Sequence, residues 1–182
     1  MVELIVVMVI AGILGAVAME RFFDNDTLLV REYADQARSI IRYGQKLAVA
    51  QNRPIYVSAT GNRFALCSVS GCTAGTLIGA PGGSNSGSSV TKAQCILSGS
   101  YVSTWMCEAK PASVAMASSR ATEAGGAATY FFFDAMGRPY NAADLAPPSG
   151  YVSTFSQALT LTFTGGGTSY VVTIEPETGY VH

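Results

Sequence analysis

From Leu4 to Met19 the chain carries no charge, and the residue just before that stretch is a glutamate, Glu3. These sixteen residues, with Met1 and Val2 added, make a helix of roughly 27 Å at about 1.5 Å per residue. A hydrocarbon core is about 30 Å thick. Nine of the sixteen are Leu, Ile or Val. Each is worth about −0.3 to −0.6 kcal/mol on an insertion scale, so together they give roughly −4 kcal/mol. A central acid costs about 2.5 to 3.5 kcal/mol on the same scale. The segment is therefore expected to enter a membrane, and Glu3 is then expected to have a partner. A cleaved secretory signal fits less well. No Lys or Arg precedes the run, and "MERFFDND" after it holds no small-residue cleavage pattern. A plain anchor would leave Glu3 in the headgroup region without a role.

The 182 residues fit one domain with an appended helix, and a net charge of −1 argues against a large nucleic-acid footprint. Four cysteines, Cys67, Cys72, Cys95 and Cys107, all lie outside the apolar run. An even number there points to an oxidising compartment and two disulfides. Neither gap is C-x2-C and the only His is the terminal His182, so no metal site and no cofactor are expected. Three pairings are possible. Sequence neighbours, Cys67–Cys72 and Cys95–Cys107, are expected because short loops lose least entropy on closing.

Next comes "DTLLVREYADQARSIIRYGQKLAVAQNRP". Leu29, Tyr33, Ala37, Ile40, Gly44 and Leu47 follow one another in steps of four, four, three, four and three, which is one helical face. Arg31, Glu32, Asp35, Arg38, Arg42 and Lys46 lie mostly off it. Asp26 is placed to cap a restart after "ERFFDND", and Pro54 disfavours helix at Arg53. Beyond Pro54 the period changes to that of strands. "PIYVSAT" and "NRFALCSVS" flank a "GN" hairpin signal. A Gly/Ser-rich insert over about 71–94 reads as a long surface loop. "CILSGSYVSTWMCEA", "ASVAMASS" and "ATYFFFDAMGRPYN" supply further strands. In "QALTLTFTGGGTSYVVTIEPETGYVH", Leu159, Leu161 and Phe163 alternate with Thr, GGG turns the chain, and Tyr170, Val172 and Ile174 alternate on return. Three parts follow: an apolar membrane or filament-core helix over 1–25, an amphipathic helix over 26–53, and a globular β domain over 54–182. The fold class is α+β, a long N-terminal helix packed on an antiparallel β domain.

An apolar helix led by an acid, then an amphipathic helix, then strands: this order resembles the type IV pilin and pseudopilin superfamily. "MVELIVVMVIAGILGAVAMERFF" is similar to its class III signal, a Gly followed by Phe-Thr-Leu-x-Glu and an apolar run. Met1-Val2-Glu3 matches the last three positions; the preceding Gly, Phe and Thr, and with them the N-methylated Phe, are absent from the sequence. Glu20 stands where many members have a helix-breaking Pro, which leads us to expect a helix continuous from near Val2 to about Gln51. "YFFFDAMGRPY" and "SYVVTIEPETGYVH" resemble GspH/FimT-type minor pilins, and the cysteine-bearing insert resembles minor pilins of the mannose-sensitive haemagglutinin type.

The resemblance implies a pilin-like fold and a structural role in a type IV pilus or type II secretion pseudopilus. Its implied partners are other pilin subunits, met through the N-terminal helix, and a prepilin peptidase if the missing N-terminal residues exist. Its implied place is the bacterial inner membrane, single-pass with a periplasmic globular domain, and then the filament. Glu3 would meet a neighbour's N-terminal amine and fix axial register, a use suited to a buried charge.

Two other readings stand beside it. A FimT-like DNA-uptake pilin would hold phosphate with basic residues near its C-terminus. Here that tail is "EPETGYVH", with only Arg138 nearby, so nucleic acid is not expected. A membrane-anchored periplasmic binding domain is the other. An enzyme is not expected: no internal His supports a Ser-His-Asp triad, and "GGSNSG" lacks the Lys of a phosphate loop. Asp134, Asn141 and Asp144 offer oxygens to calcium at no standard spacing, and turn roles explain them equally well.

Overall fold

The structure is a computed structural model that describes residues 2–22, 25–126, 129–144 and 152–182, without the side chains of 16–22 and 25. Helix α1 runs Val2–Phe22 and α2 runs Asn25–Gln51. Whether one helix continues into the other depends on positions 23 and 24, which lie outside the described residues. Asp26 is not the residue before α2. It sits inside the first turn, where its charge complements the helix N-terminus.

The end of α2 has a cause beyond Pro54. Asn52 takes a left-handed conformation, φ 50°. The Asn52 amide donates to Val49 O at 3.3 Å and the Arg53 amide to Ala48 O at 3.2 Å. This double closure uses carbonyls the last turn would otherwise leave bare. Pro54 then cannot resume the helix.

Among the described residues, eight of the ten strands form two antiparallel sheets. The larger has the order β5-β2-β1-β7-β8, with β1 Ile55–Thr60, β2 Arg63–Cys67, β5 Cys107–Ala109, β7 Tyr130–Phe133 and β8 Pro139–Asn141. The smaller has β6 Ala115–Ser118, β9 Leu159–Gly165 and β10 Thr168–Ile174 in the order β10-β9-β6. The β9–β10 register places Tyr170 opposite Phe163 and Ile174 opposite Leu159, around a Gly166-Gly167 turn. A last bridge pairs Val181 with Ile174.

Helix α2 lies against β1, β2 and β7 of one sheet and β9 and β10 of the other. Its buried stripe contains the expected Tyr33, Ala37, Ile40 and Gly44, and widens to Val30, Ala34, Ile41 and Ala48. Leu29 and Leu47 are only half-buried at its margin. The widening follows from the helix having two sheets to cover rather than one. Tyr33 spans the seam: its ring is 5.6 Å from Phe163 on β9 and 6.3 Å from Phe64 on β2.

The Gly/Ser-rich insert is not only loop. Its end forms α3, Ser89–Gln94, whose Ser88 Oγ accepts from the Thr91 amide at 3.1 Å. A small hairpin follows, β3 Ile96–Leu97 with β4 Ser100–Tyr101. The insert folds over the outer face of β2 and β5 and builds a second core from Ala65, Trp105 and the four cysteines. Trp105 Nε1 donates to Leu66 O at 2.9 Å. A stretch with few aliphatic residues thus gains order from one indole and two covalent links.

Candidate assembly surface

Every described side chain of α1, from Val2 to Gly15, is exposed. Val2 is 76% exposed, Met8 68% and Leu14 65%, on different sides of the helix. Apolar residues at i, i+3 and i+4 would make one stripe, as in α2. Here the apolar residues go all round, which is the pattern of a helix meant to be buried on every side. Nothing in the described chain buries it. Glu3 stands in the first turn as the only ionisable residue of this stretch. No hydrogen bond or ion pair joins Glu3 to another described residue.

Among the described residues no helix is long and apolar enough to cross a membrane. The stretch with described side chains, Val2–Gly15, is fourteen residues, about 21 Å of helix against a hydrocarbon core of about 30 Å.

The cysteines pair as Cys67–Cys72 and Cys95–Cys107, with Cα–Cα distances of 5.3 and 5.9 Å. The first closes a short loop at the end of β2. The second ties the end of α3 to β5, so both pairs hold the insert rather than a catalytic centre. Glu108, beside Cys107, is buried and accepts from the Ser86 amide and Ser86 Oγ at 2.6 Å each and from Thr91 Oγ1 at 3.0 Å. This carboxylate fastens the insert to β5. Nothing in the sequence singled it out, because its partners lie about twenty residues away in a Ser-rich run.

The remaining candidates have structural partners. Asp134 Oδ1 accepts from the Met136 and Arg138 amides, both at 2.9 Å. Asp144 accepts from the Asn141 amide at 2.8 Å and from Thr154 Oγ1 at 2.6 Å. Both carboxylates therefore shape turns, and no group able to hold a metal ion occurs among the described residues. Arg138 Nη2 lies 3.3 Å from Glu177 Oε2, a carboxylate of the same C-terminal tail. His182 pairs with Glu175 at 3.0 Å and stacks on Tyr180.

No protein-family model and no curated protein matches the sequence. Among solved structures, the chain is similar to the type IV minor pilin FimU of Pseudomonas aeruginosa in two crystal forms. In one, identity is 15% with a TM-score of 0.47, covering 84% of this chain and 86% of that chain. In the other, identity is 14% with a TM-score of 0.45, covering 84% and 90%. Surfaces and partners diverge freely at such identity, so the role must follow from this chain's own residues.

Proposed function

We propose that this chain is a structural subunit, a minor pilin or pseudopilin, of a type IV pilus or type II secretion filament. It waits in the inner membrane and assembles through its N-terminal helix. One observation carries the reading: α1 is apolar on all sides, and all its described side chains from Val2 to Gly15 are exposed. Its ten large apolar side chains left in water would each forfeit burial worth about 1.5 to 3 kcal/mol. The helix must therefore be covered by lipid or by like helices. Glu3 favours like helices at its end, because a carboxylate there can pair with a neighbour's cation and set the register.

The globular part contributes shape rather than chemistry. The pairing of Arg138 with Glu177 weakens the DNA-uptake reading, since the nearby cation already has an anion.

The test is Glu3→Ala in a strain that assembles the filament. The variant is expected to fold, enter the membrane and remain absent from sheared filaments or cross-linked subunit complexes. Glu3→Ala recovered in filaments at the level of the unaltered chain would remove the reading.

A further inference from the structure

The outer face of the five-stranded sheet holds a groove that assembly through α1 leaves unused. Tyr56, Ser58 and Thr60 point outward from β1, opposite the buried Ile55, Val57 and Ala59. Tyr130 on β7 stands 5.9 Å from Tyr56, ring to ring. A depression of about 250 Å³ opens between these rings, Ser58 and the Cys72 loop. A second, of about 500 Å³, opens between the β1–β2 turn and the end of α3. The two share Thr60 and Arg63 in their lining, so they adjoin there, with Arg63 between them.

Arg63 is the arginine that lines both depressions. Its guanidinium lies over the buried Trp105, 4.9 Å from the ring centroid, and Nη1 donates to Gln94 O. Among the described residues no carboxylate pairs with it, and none lines the groove. Burial holds its pKa below the usual arginine value, but a guanidinium stays charged throughout. A partly desolvated cation without an anion is a receptor for one, and its planar fork fits a carboxylate.

The neighbouring hydroxyls narrow the ligand further. Thr60 Oγ1 is spent on the Arg63 backbone and Thr129 Oγ1 on Ala59 O. Ser58 Oγ and Tyr56 OH have no hydrogen bond within the described chain. Strands β1, β2 and β7 are each paired on both sides, so the groove floor offers no free edge to an extended peptide. What remains is the half-buried rings of Tyr56 and Tyr130, with Phe132 packed on Tyr56 at 5.0 Å, two free hydroxyls and one guanidinium. We infer that the groove binds a carboxylate-bearing saccharide, a uronic or sialic acid residue. Arg63 takes its carboxylate, Tyr56 and Tyr130 take its apolar C–H face, and Ser58 takes a hydroxyl.

The test uses the full chain in detergent with its disulfides intact, followed by amide NMR. Glucuronate, galacturonate and N-acetylneuraminate are titrated separately, with galactose, acetate and an acidic hexapeptide as comparisons. At least one acidic sugar is expected to give saturable shifts at Tyr56, Ser58 and Arg63. Galactose and acetate are expected to bind about tenfold more weakly or worse, a loss of about 1.4 kcal/mol that a single charged hydrogen bond accounts for. Arg63→Gln should lose about tenfold or more. Because Arg63 also packs on Trp105, Ser58→Ala serves as the second variant, with an unchanged spectrum elsewhere and an affinity lowered several-fold. The inference is overturned by no saturable shift at millimolar sugar, by shifts confined to another surface, or by acetate, galactose or the peptide binding as tightly as every acidic sugar.

Discussion

Arg42 on α2 holds the end of the chain: its Nε and Nη2 both donate to the Val181 carbonyl, at 2.8 and 2.6 Å. One turn further on, Gln45 Nε2 donates to Thr178 O at 2.9 Å and Gly137 O at 3.0 Å. The tail so held exchanges backbone hydrogen bonds with β10, Thr173 with His182, at 2.8 and 3.0 Å. The helix therefore keeps a strand edge covered, and an uncovered edge invites pairing with other chains. Arg42→Ala is expected to cost about 1 to 2 kcal/mol, the scale of a charged hydrogen bond at a partly exposed site. Amide exchange should quicken first at His182 and Thr173. Arg42→Lys should recover little, because one ammonium does not reproduce two fixed N–H donors. Unchanged exchange at both amides would show that the tail docks without Arg42.

Gly179 makes the tail's turn possible. Its φ is +65°, and a Cβ there would sit 2.2 Å from Gly137 O. The left-handed conformation alone costs a side-chain residue about 1 to 2 kcal/mol, and the backbone clash adds to it. Gly179→Ala is expected to cost about 3 kcal/mol or more. Gly167, φ +74°, has open space where a Cβ would go, so Gly167→Ala should cost only the conformational part. Urea midpoints separate the two. Equal losses would mean that the tail's turn relaxes around the added methyl group.

How much of this was legible in the sequence depended on the range of the cause. The β9–β10 hairpin was, because Leu159, Leu161 and Phe163 alternate beside a Gly turn and each strand finds its partner within a few residues. The α2 stripe was too, though not its full width, since Val30 packs against Gly165 of a second sheet whose position no helical period encodes. The core around Trp105 was hidden. Its members come from residues 65 to 107, and Gly and Ser between them read as loop. The groove had a faint signal in "IYVSAT", where Tyr56, Ser58 and Thr60 form the polar face of an alternating strand. Only the placement of β7 and the insert turned that face into a cleft. Glu3 stands out in the sequence without any fold, as an acid heading an apolar run, and its role rests on the proposal above.

The two disulfides should differ in worth. Cys67–Cys72 has a sequence separation of 5 and Cys95–Cys107 one of 12. Loop-closure entropy gives roughly 2 kcal/mol for the first and roughly 3 for the second. The second also anchors α3, next to the Glu108 cluster. We expect no free thiol in native protein by mass spectrometry without reduction. Replacing Cys95 and Cys107 by Ser should lower stability more than replacing Cys67 and Cys72, and should speed amide exchange in α3. A larger loss from the shorter loop would contradict both arguments.

Tyr33 gives the last expectation. It is buried between Phe64 and Phe163, and its hydroxyl has no hydrogen-bond partner. Burial, and then the charge of Glu108, push its pKa far above the ordinary tyrosine value. The folded chain holds the phenolic proton more tightly than the unfolded chain, so this contribution to stability is full below about pH 10. It is lost as pH rises beyond that, because only the unfolded chain ionises there. The slope for one group is about 1.4 kcal/mol per pH unit. Tyr33→Phe keeps the ring and deletes an unpartnered hydroxyl whose burial costs about 1 to 3 kcal/mol. The variant should therefore be more stable at pH 7 by about 1 kcal/mol, raising Tm by about 2 to 4 °C. Above pH 10 its stability should fall less steeply than that of the unaltered chain. Urea midpoints at pH 7, 9 and 10.5 test both statements, and a variant less stable at pH 7 would show that the hydroxyl has a partner in solution.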